Sequence, residues 1–423
     1  MKIFISHPTG NRNVRAVMDS FDKAGMLAGF NTTVSANKSS RWLKLMPGSF
    51  QQEWLRRSYS VAASKVRTRP VLELSRLVLP KLNLGLLTKN EYSPASIDAV
   101  YRDLDKNFAK HLPNILQTQP FDAVYAYEDG AYETFRMARK LGLKCVYDLP
   151  IAYWETSRKL LIEESERLPE WAITLGGGVK DSKEKLRRKT KELEMADIVV
   201  GPGSFVRGSL PNWAANKKTI MAPFGSPHVA ANATDTSQFK DSSRPLRILF
   251  VGSMGQRKGL GDLFNAIKMF GTNEVELVVL GEPLTSMEFY RKQLPDFTYE
   301  SNRPHDKVLE LMRSCDIFCL PSIVEGRALV MQEAMSQGLP LIITENTGGS
   351  DLVQEGYTGF LVPIRSPEAI AEKINWFLQN RSAIPLMGNL SRQHAATYTW
   401  ESYGSAIVSQ IIQKKNPSIC NHV

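Results

Sequence analysis

The chain has 423 residues, is 43% hydrophobic and 23% charged, and carries a formal net charge of +10. That length predicts two or three domains, each large enough for its own core, and the basic balance suits anionic partners such as nucleoside diphosphates, anionic lipid or nucleic acid. The four cysteines have no metal-ligand spacing and fit a reducing cytoplasm. No apolar run approaches the roughly eighteen residues of a membrane span, and the amino-terminal apolar run is too short for a signal peptide.

Lys2 to Ser6 reads as a first strand, followed by a turn at Pro8–Asn11 and an amphipathic helix from about Asn13 to Leu27. Gly10 in that turn would let the backbone approach a phosphate, or simply make the turn. Residues 31–70 contain eight lysines and arginines against Glu53 alone, with Trp42, Trp54 and Tyr59 interleaved. A basic segment with aromatic anchors, here residues 38–69, can lie on an anionic membrane surface; it can equally be a solvated face of the first domain. No nucleic-acid module accompanies it, so no nucleic acid is expected.

Residues 97–116 read as a helix whose Asp103 and Asp105 lie on a surface face, and no metal is expected there. Strands at 121–127 and 144–147 end at Glu128-Asp129 and at Asp148, which places all three carboxylates at strand carboxyl ends. Residues 153–193 form charged, solvated helices broken at Gly176–Gly178, one of them covering the active site. Strands at 196–200 and 218–221 complete a first domain over residues 1–225. A Ser-, Thr-, Asn- and Ala-rich linker follows at 226–245.

Leu246 to Val251 is a buried strand, and Gly252-Ser-Met-Gly-Gln-Arg-Lys-Gly259 turns it into a helix. Glycines with Arg257 and Lys258 at such a turn suit a diphosphate: the backbone approaches, the helix dipole favours an anion and the cations neutralise a leaving group. Strands at 274–281 and 297–301 and a helix at 305–314 continue the alternation. A strand at 316–320 then leads into Pro321–Pro340, which holds Glu325 in a loop and Glu333 in a helix from about Leu329 to Gln337. A carboxylate at the carboxyl end of a parallel strand faces the ligand crevice. Taken alone, the two residues are also compatible with solvated surface glutamates.

The string PSIVEGRALVMQEAMSQGLP resembles the glutamate-x7-glutamate signature of retaining GT-B glycosyltransferases, in particular glycosyltransferase family 4. Thr347–Ser350 and Gly359–Pro363 match that family's closing segments. The resemblance covers most of residues 246–403; over residues 1–225 it rests on strand–helix order. It implies two Rossmann-like parallel-sheet domains facing across a cleft. The second would span residues 246–395 and bind the nucleotide sugar, and residues 396–423 would cross back onto the first.

By this resemblance Glu325 contacts the donor sugar and Glu333 the ribose. Lys258 matches the family lysine, and Arg257 stands in for an arginine replaced here by Ser253. Gly10, Gly252, Asn302, Arg303, Arg327, Ala328 and Leu329 complete the donor site, with the base against the backbone near Ser301–Arg303. Arg327 and Ala328 depart from the family's Gly-Phe-Gly pattern, so Arg327 either grips a phosphate or acidic sugar or points away. Asp148 stands where the family carries a histidine near the reacting sugar, and would either take a proton from an acceptor hydroxyl or only cap a loop; Glu128 and Asp129 face the acceptor.

The activity expected is transfer of a sugar from a nucleoside-diphosphate sugar to a carbohydrate or lipid-linked acceptor hydroxyl, with retention and without a further cofactor. The protein would be cytoplasmic, or peripheral on the inner face of a membrane. The alternatives are a non-catalytic nucleotide-sugar or glycan scaffold, and a sugar phosphorylase or synthase of the same fold.

Overall fold

The computed structural model describes residues 1–36, 55, 57–227 and 244–413. Most of the basic segment 38–69, most of the linker and the last ten residues therefore lie outside the described residues.

Two parallel sheets organise the chain. The first contains β1 (Ile3–Ser6), β2 (Leu27–Thr32), β3 (Val66–Thr68), β4 (Ala123–Tyr127), β5 (Lys144–Asp148), β6 (Ile198–Gly201) and β7 (Lys218–Met221), in spatial order β3-β2-β1-β4-β5-β6-β7. The second contains β8 (Leu246–Val251), β9 (Val275–Leu280), β10 (Thr298–Glu300), β11 (Ile317–Leu320), β12 (Leu341–Ile343) and β13 (Gly359–Leu361), in order β10-β9-β8-β11-β12-β13. Strands this apolar cannot face water on either side, so helices cover both faces and enforce parallel crossovers. The sequence expectation of two Rossmann-like α/β domains is met. In each sheet the strand order reverses at one place, between β1 and β4 and between β8 and β11, and the strand carboxyl ends there open a crevice.

The cores follow the pleat. Ile3 and Ile5 face one side of the first sheet with Tyr125 and Val146, and Phe4 faces the other with Val124 and Tyr147. The last helix, Trp400–Ile412, returns to the first domain and places Tyr403, Ile407 and Ile411 in its core. There Gly404 lies against Ala16 and Ser20 of the helix Arg12–Lys23.

The stretch expected as solvated helices is not solvated throughout. It folds as Trp154–Arg167, Pro169–Thr174, Gly177–Lys180 and Lys183–Met195. Glu164, Trp171 and Glu192 within it are buried. Trp171 joins the core of the second domain, edge-on to Phe264 and Phe289 at 5.7 and 5.1 Å. Asp105 also departs from its expected surface position. It is buried and accepts the Glu133 and Thr134 N–H groups at 2.8 Å each, because the start of the Tyr132–Lys140 helix needs an acceptor.

Candidate active site

The loops leaving β8 and β11 are laced together at the second sheet's reversal point. Beyond Gly252 and Ser253 the chain makes a single turn, Gln256–Lys258. The Arg257 carbonyl accepts the N–H groups of Ile323 and Val324 at 2.9 and 3.3 Å, and the Arg257 guanidinium donates to the Val324 carbonyl at 3.1 Å. Lys258 and Arg257 then converge on one oxygen, Oε1 of Glu325. Burial alone would raise the Glu325 carboxyl, but the two cations outweigh it and hold the group below its ordinary value. Burial pulls Lys258 below its ordinary value, against the pull of Glu325. The cluster carries two cations for one anion, so it has a positive charge to offer a phosphate group.

The other donor-side candidates occupy neighbouring loops. Ala328 precedes the helix Leu329–Ser336, and its N–H reaches the Thr347 carbonyl at 3.3 Å. Glu333, on that helix, meets His305 Nε2 at 3.0 Å. Asn302 donates to Glu282 at 2.7 Å, and Arg303 pairs with Glu300, both at the carboxyl ends of β9 and β10. Of the two readings of Arg327, the structure shows it turned into the protein. Its guanidinium donates to Gln332 at 2.9 Å, to the Gly348 carbonyl at 3.3 Å and to Asp351 at 2.6 Å, and it stacks over Tyr398.

Across the cleft, Gly10 sits in left-handed backbone (φ 56°) beneath Tyr59, so a Cβ there would strike the phenol ring. Its N–H and that of Thr9 donate to His7 Nδ1 at 2.9 and 3.1 Å. This assigns the proton of the neutral imidazole to Nε2. Burial, helped by Arg15, lowers His7 to about 3. Asp148 ends β5, is 2% exposed, and has its carboxyl raised to about 7, chiefly by burial.

Glu128 and Asp129 do not present free carboxylates. Glu128 pairs with Lys189 at 3.1 Å; Asp129, in left-handed backbone, pairs with Arg188 at 3.1 Å and Lys189 at 3.4 Å. Glu192 closes the same network by accepting the N–H groups of Asp129 and Ala131. The helix Lys183–Met195 thus serves as the lid of this end of the sheet.

Between the domains lies a cavity of about 330 Å³. Lys185 and Lys189 line it from the first domain; Ser253, Gly255 and Arg257 line it from the second. Trp154, Leu161 and Leu284 add apolar wall. The walls are held in register by contacts across the domains. Gly326 lies so close to the Pro150 carbonyl that no Cβ would fit. Gln256, directly before Arg257, takes Thr174 Oγ1 on its N–H at 3.0 Å and donates from Nε2 to Glu164 at 2.8 Å. Arg365 also reaches Glu164 at 2.8 Å, and Arg167 joins Asp262 at 2.8 Å.

Sequence reading singled out the Lys258, Arg257 and Glu325 that the fold brings together. It passed over His7, His305, Lys185 and Lys189. His7 carried a usable signal, since it directly follows the first strand at its carboxyl end. The lysines carried none, because their helix meets the cavity only through the tertiary fold.

Residues 233–395 match the family model described as glycosyl transferases group 1. Among curated relatives, the chain is 28% identical over 155 residues to an uncharacterized glycosyltransferase, MJ1178, of Methanocaldococcus jannaschii, covering 36% of this chain and 44% of that one. It is 27% identical over 187 residues to the D-inositol 3-phosphate glycosyltransferase of Corynebacterium glutamicum, covering 41% and 44%. The chain thus spans less than half the length of these relatives. Among solved structures, sucrose-phosphate synthase from Thermosynechococcus elongatus superimposes with a TM-score of 0.64 over 97% of this chain and 98% of that one, at 16% identity. Anabaena Alr3699/HepE in complex with UDP-glucose does so with a TM-score of 0.59 over 97% and 99%, at 14% identity. These likenesses show the fold, which is GT-B.

Proposed function

We propose that the protein is a retaining glycosyltransferase of the group 1 type, which moves a sugar from a nucleoside-diphosphate sugar to an acceptor hydroxyl in glycan, polysaccharide or glycolipid synthesis. The observation that carries this reading is the Lys258–Arg257–Glu325 cluster at the second sheet's reversal point, with Arg257 lining the interdomain cavity. In the reaction the bond from the anomeric carbon to the diphosphate oxygen breaks and a bond to the acceptor oxygen forms. Lys258 and Arg257 neutralise the departing diphosphate. Glu325 orients the donor sugar, and Glu333 accepts from the ribose hydroxyls. Asp148, near neutrality in its titration, takes the acceptor proton. Support for the donor class comes from the group 1 match and from the GT-B relative solved with UDP-glucose.

The test is incubation with a panel of nucleotide sugars and candidate acceptors, reading nucleoside diphosphate release and the anomeric configuration of the product by NMR. Transfer with the donor's configuration kept is the expected result. Activity only with sugar 1-phosphates, or inversion of configuration, would replace this reading with another.

A further inference from the structure

Large hydrophobic side chains left in water are concentrated in one short segment. Sixteen are exposed among the described residues, and eight of these lie between Val71 and Ile97. Leu86, Tyr92 and Leu82 are 77%, 71% and 61% exposed, with Val78, Leu84 and Leu87 alongside them in sequence. Single exposed leucines need no explanation, but a cluster of this kind marks an interaction surface.

The segment is built, not loose. The helix Val71–Val78 runs into the turn Leu79–Leu82, Asn83 reverses the chain in left-handed backbone, and the short helix Leu86–Lys89 follows. Ser93 Oγ ties to the Leu86 carbonyl at 2.9 Å, and the Ala95 N–H to the Leu87 carbonyl at 3.1 Å. The segment's carboxylates face the protein. Glu73 is buried between Arg57 at 3.0 Å and Arg76 at 2.8 Å, and Glu91 accepts the Ser182 N–H at 3.0 Å. The leucines remain outside, with Lys81 and Lys89 among them.

The charge pattern identifies what covers them. From residue 71 to 90 the only carboxylate is the buried Glu73, while Lys81 and Lys89 are exposed among the leucines and Arg67 just before them; Arg69 beside it is exposed too but pairs with Asp103 at 2.9 Å. Protein interfaces deplete lysine from their centres. At a lipid surface, leucines enter the acyl boundary, tyrosine settles at the headgroups and lysines reach anionic phosphates. We propose that this leucine-rich surface docks the protein on a bilayer rich in anionic lipid. Ser182, held by Glu91, directly follows Asp181, which lines the interdomain cavity. The docked face is therefore tied to the rim of that cavity, an arrangement that suits a lipid-linked acceptor. Docking is separate from the transfer reaction and is tested without it.

The experiment is sedimentation of the full chain with vesicles of phosphatidylcholine alone or mixed with phosphatidylglycerol. Binding is expected to the mixed vesicles and to weaken as salt is raised. Leu82→Glu combined with Leu86→Glu is expected to lower the bound fraction about tenfold or more. Leu386→Glu, at an exposed position in the second domain, leaves it unchanged. Circular dichroism verifies folding, and Lys81→Glu combined with Lys89→Glu gives a second variant in which the salt-sensitive part of binding falls. Failure to bind either vesicle, equal binding without phosphatidylglycerol, or binding untouched by both double variants overturns the proposal. So does a dimer in light scattering that the leucine substitutions dissolve, since it assigns the surface to a second copy of the chain.

Discussion

Lys258 and Glu325 each keep 11% of their side chain exposed, so their attraction acts at low dielectric and the loss of either partner is felt by the other. Under the proposed reaction, Lys258→Ala is expected to slow turnover about 10²–10³-fold while circular dichroism stays the same. Near-normal nucleoside diphosphate release from that variant would remove Lys258 from the leaving-group role. Asp148 gives a test in pH. Its folded value of about 7 lies above the ordinary carboxylate value near 4, so the fold favours the neutral form. Its contribution to stability is therefore present below about pH 4 and is lost as pH rises to about 7, the reverse of a salt-bridged carboxylate. Asp148→Asn is expected to raise the melting temperature more at about pH 8 than at about pH 5. If Asp148 takes the acceptor proton, the wild-type rate climbs through the same interval and the variant's profile is flat and low. A variant with unchanged rate and unchanged pH dependence would make Asp148 a buried structural group only.

The loops at the strand carboxyl ends make the site, and their spacing is set by backbone contact as much as by side chains. Gly326 meets the Pro150 carbonyl across the cleft. Gly326→Ala must push the β11 loop away from the first domain, carrying the neighbouring Glu325 with it. A displacement near 1 Å costs on the order of 10² in turnover; single-turnover measurement of the variant checks this, and an unaltered rate would show the contact to be incidental. Most of the strands and this loop could be read from the sequence, because buried parallel strands are short apolar runs bounded by Gly and Pro; β2 and β3 could not, since the helical pattern in the sequence runs on to Leu27 and residues 31–70 stood out only for their charge. The glycine turn at 252–259 was legible for the same reason, whereas the two glutamates stood out only through the resemblance of the whole string around them. What could not be read were partners far apart in the chain. Glu128 and Asp129 looked like acceptor-facing carboxylates, yet Lys189 and Arg188, about sixty residues on, bind them. Trp171 looked like part of a solvated stretch, and only the fold reveals that it completes the core of the other domain.

Across the whole molecule, the two domains share a buried polar knot. Glu164 is fully buried and holds Arg167, Gln256 and Arg365, while Arg167 reaches on to Asp262. Because Gln256 immediately precedes Arg257, the Gln256–Lys258 turn takes its position partly from a helix of the other half. Removing the carboxylate takes an acceptor from Arg167, Arg365 and Gln256 at once, leaving Arg167 only Asp262 and Arg365 chiefly Glu163, so Glu164→Ala is expected to cost about 2–3 kcal/mol in denaturant unfolding. It is also expected to split one calorimetric transition into two; a single transition at the wild-type temperature would show that the knot does not couple the halves. The returning helix Trp400–Ile412 has a separate consequence. Its Tyr403, Ile407 and Ile411 seal the core that begins at Ile3, so the polypeptide passes between the halves twice. Severing the chain once, between residues 227 and 244, would leave the fragments clasped, whereas trimming it back to residue 395 would unroof the amino-terminal half.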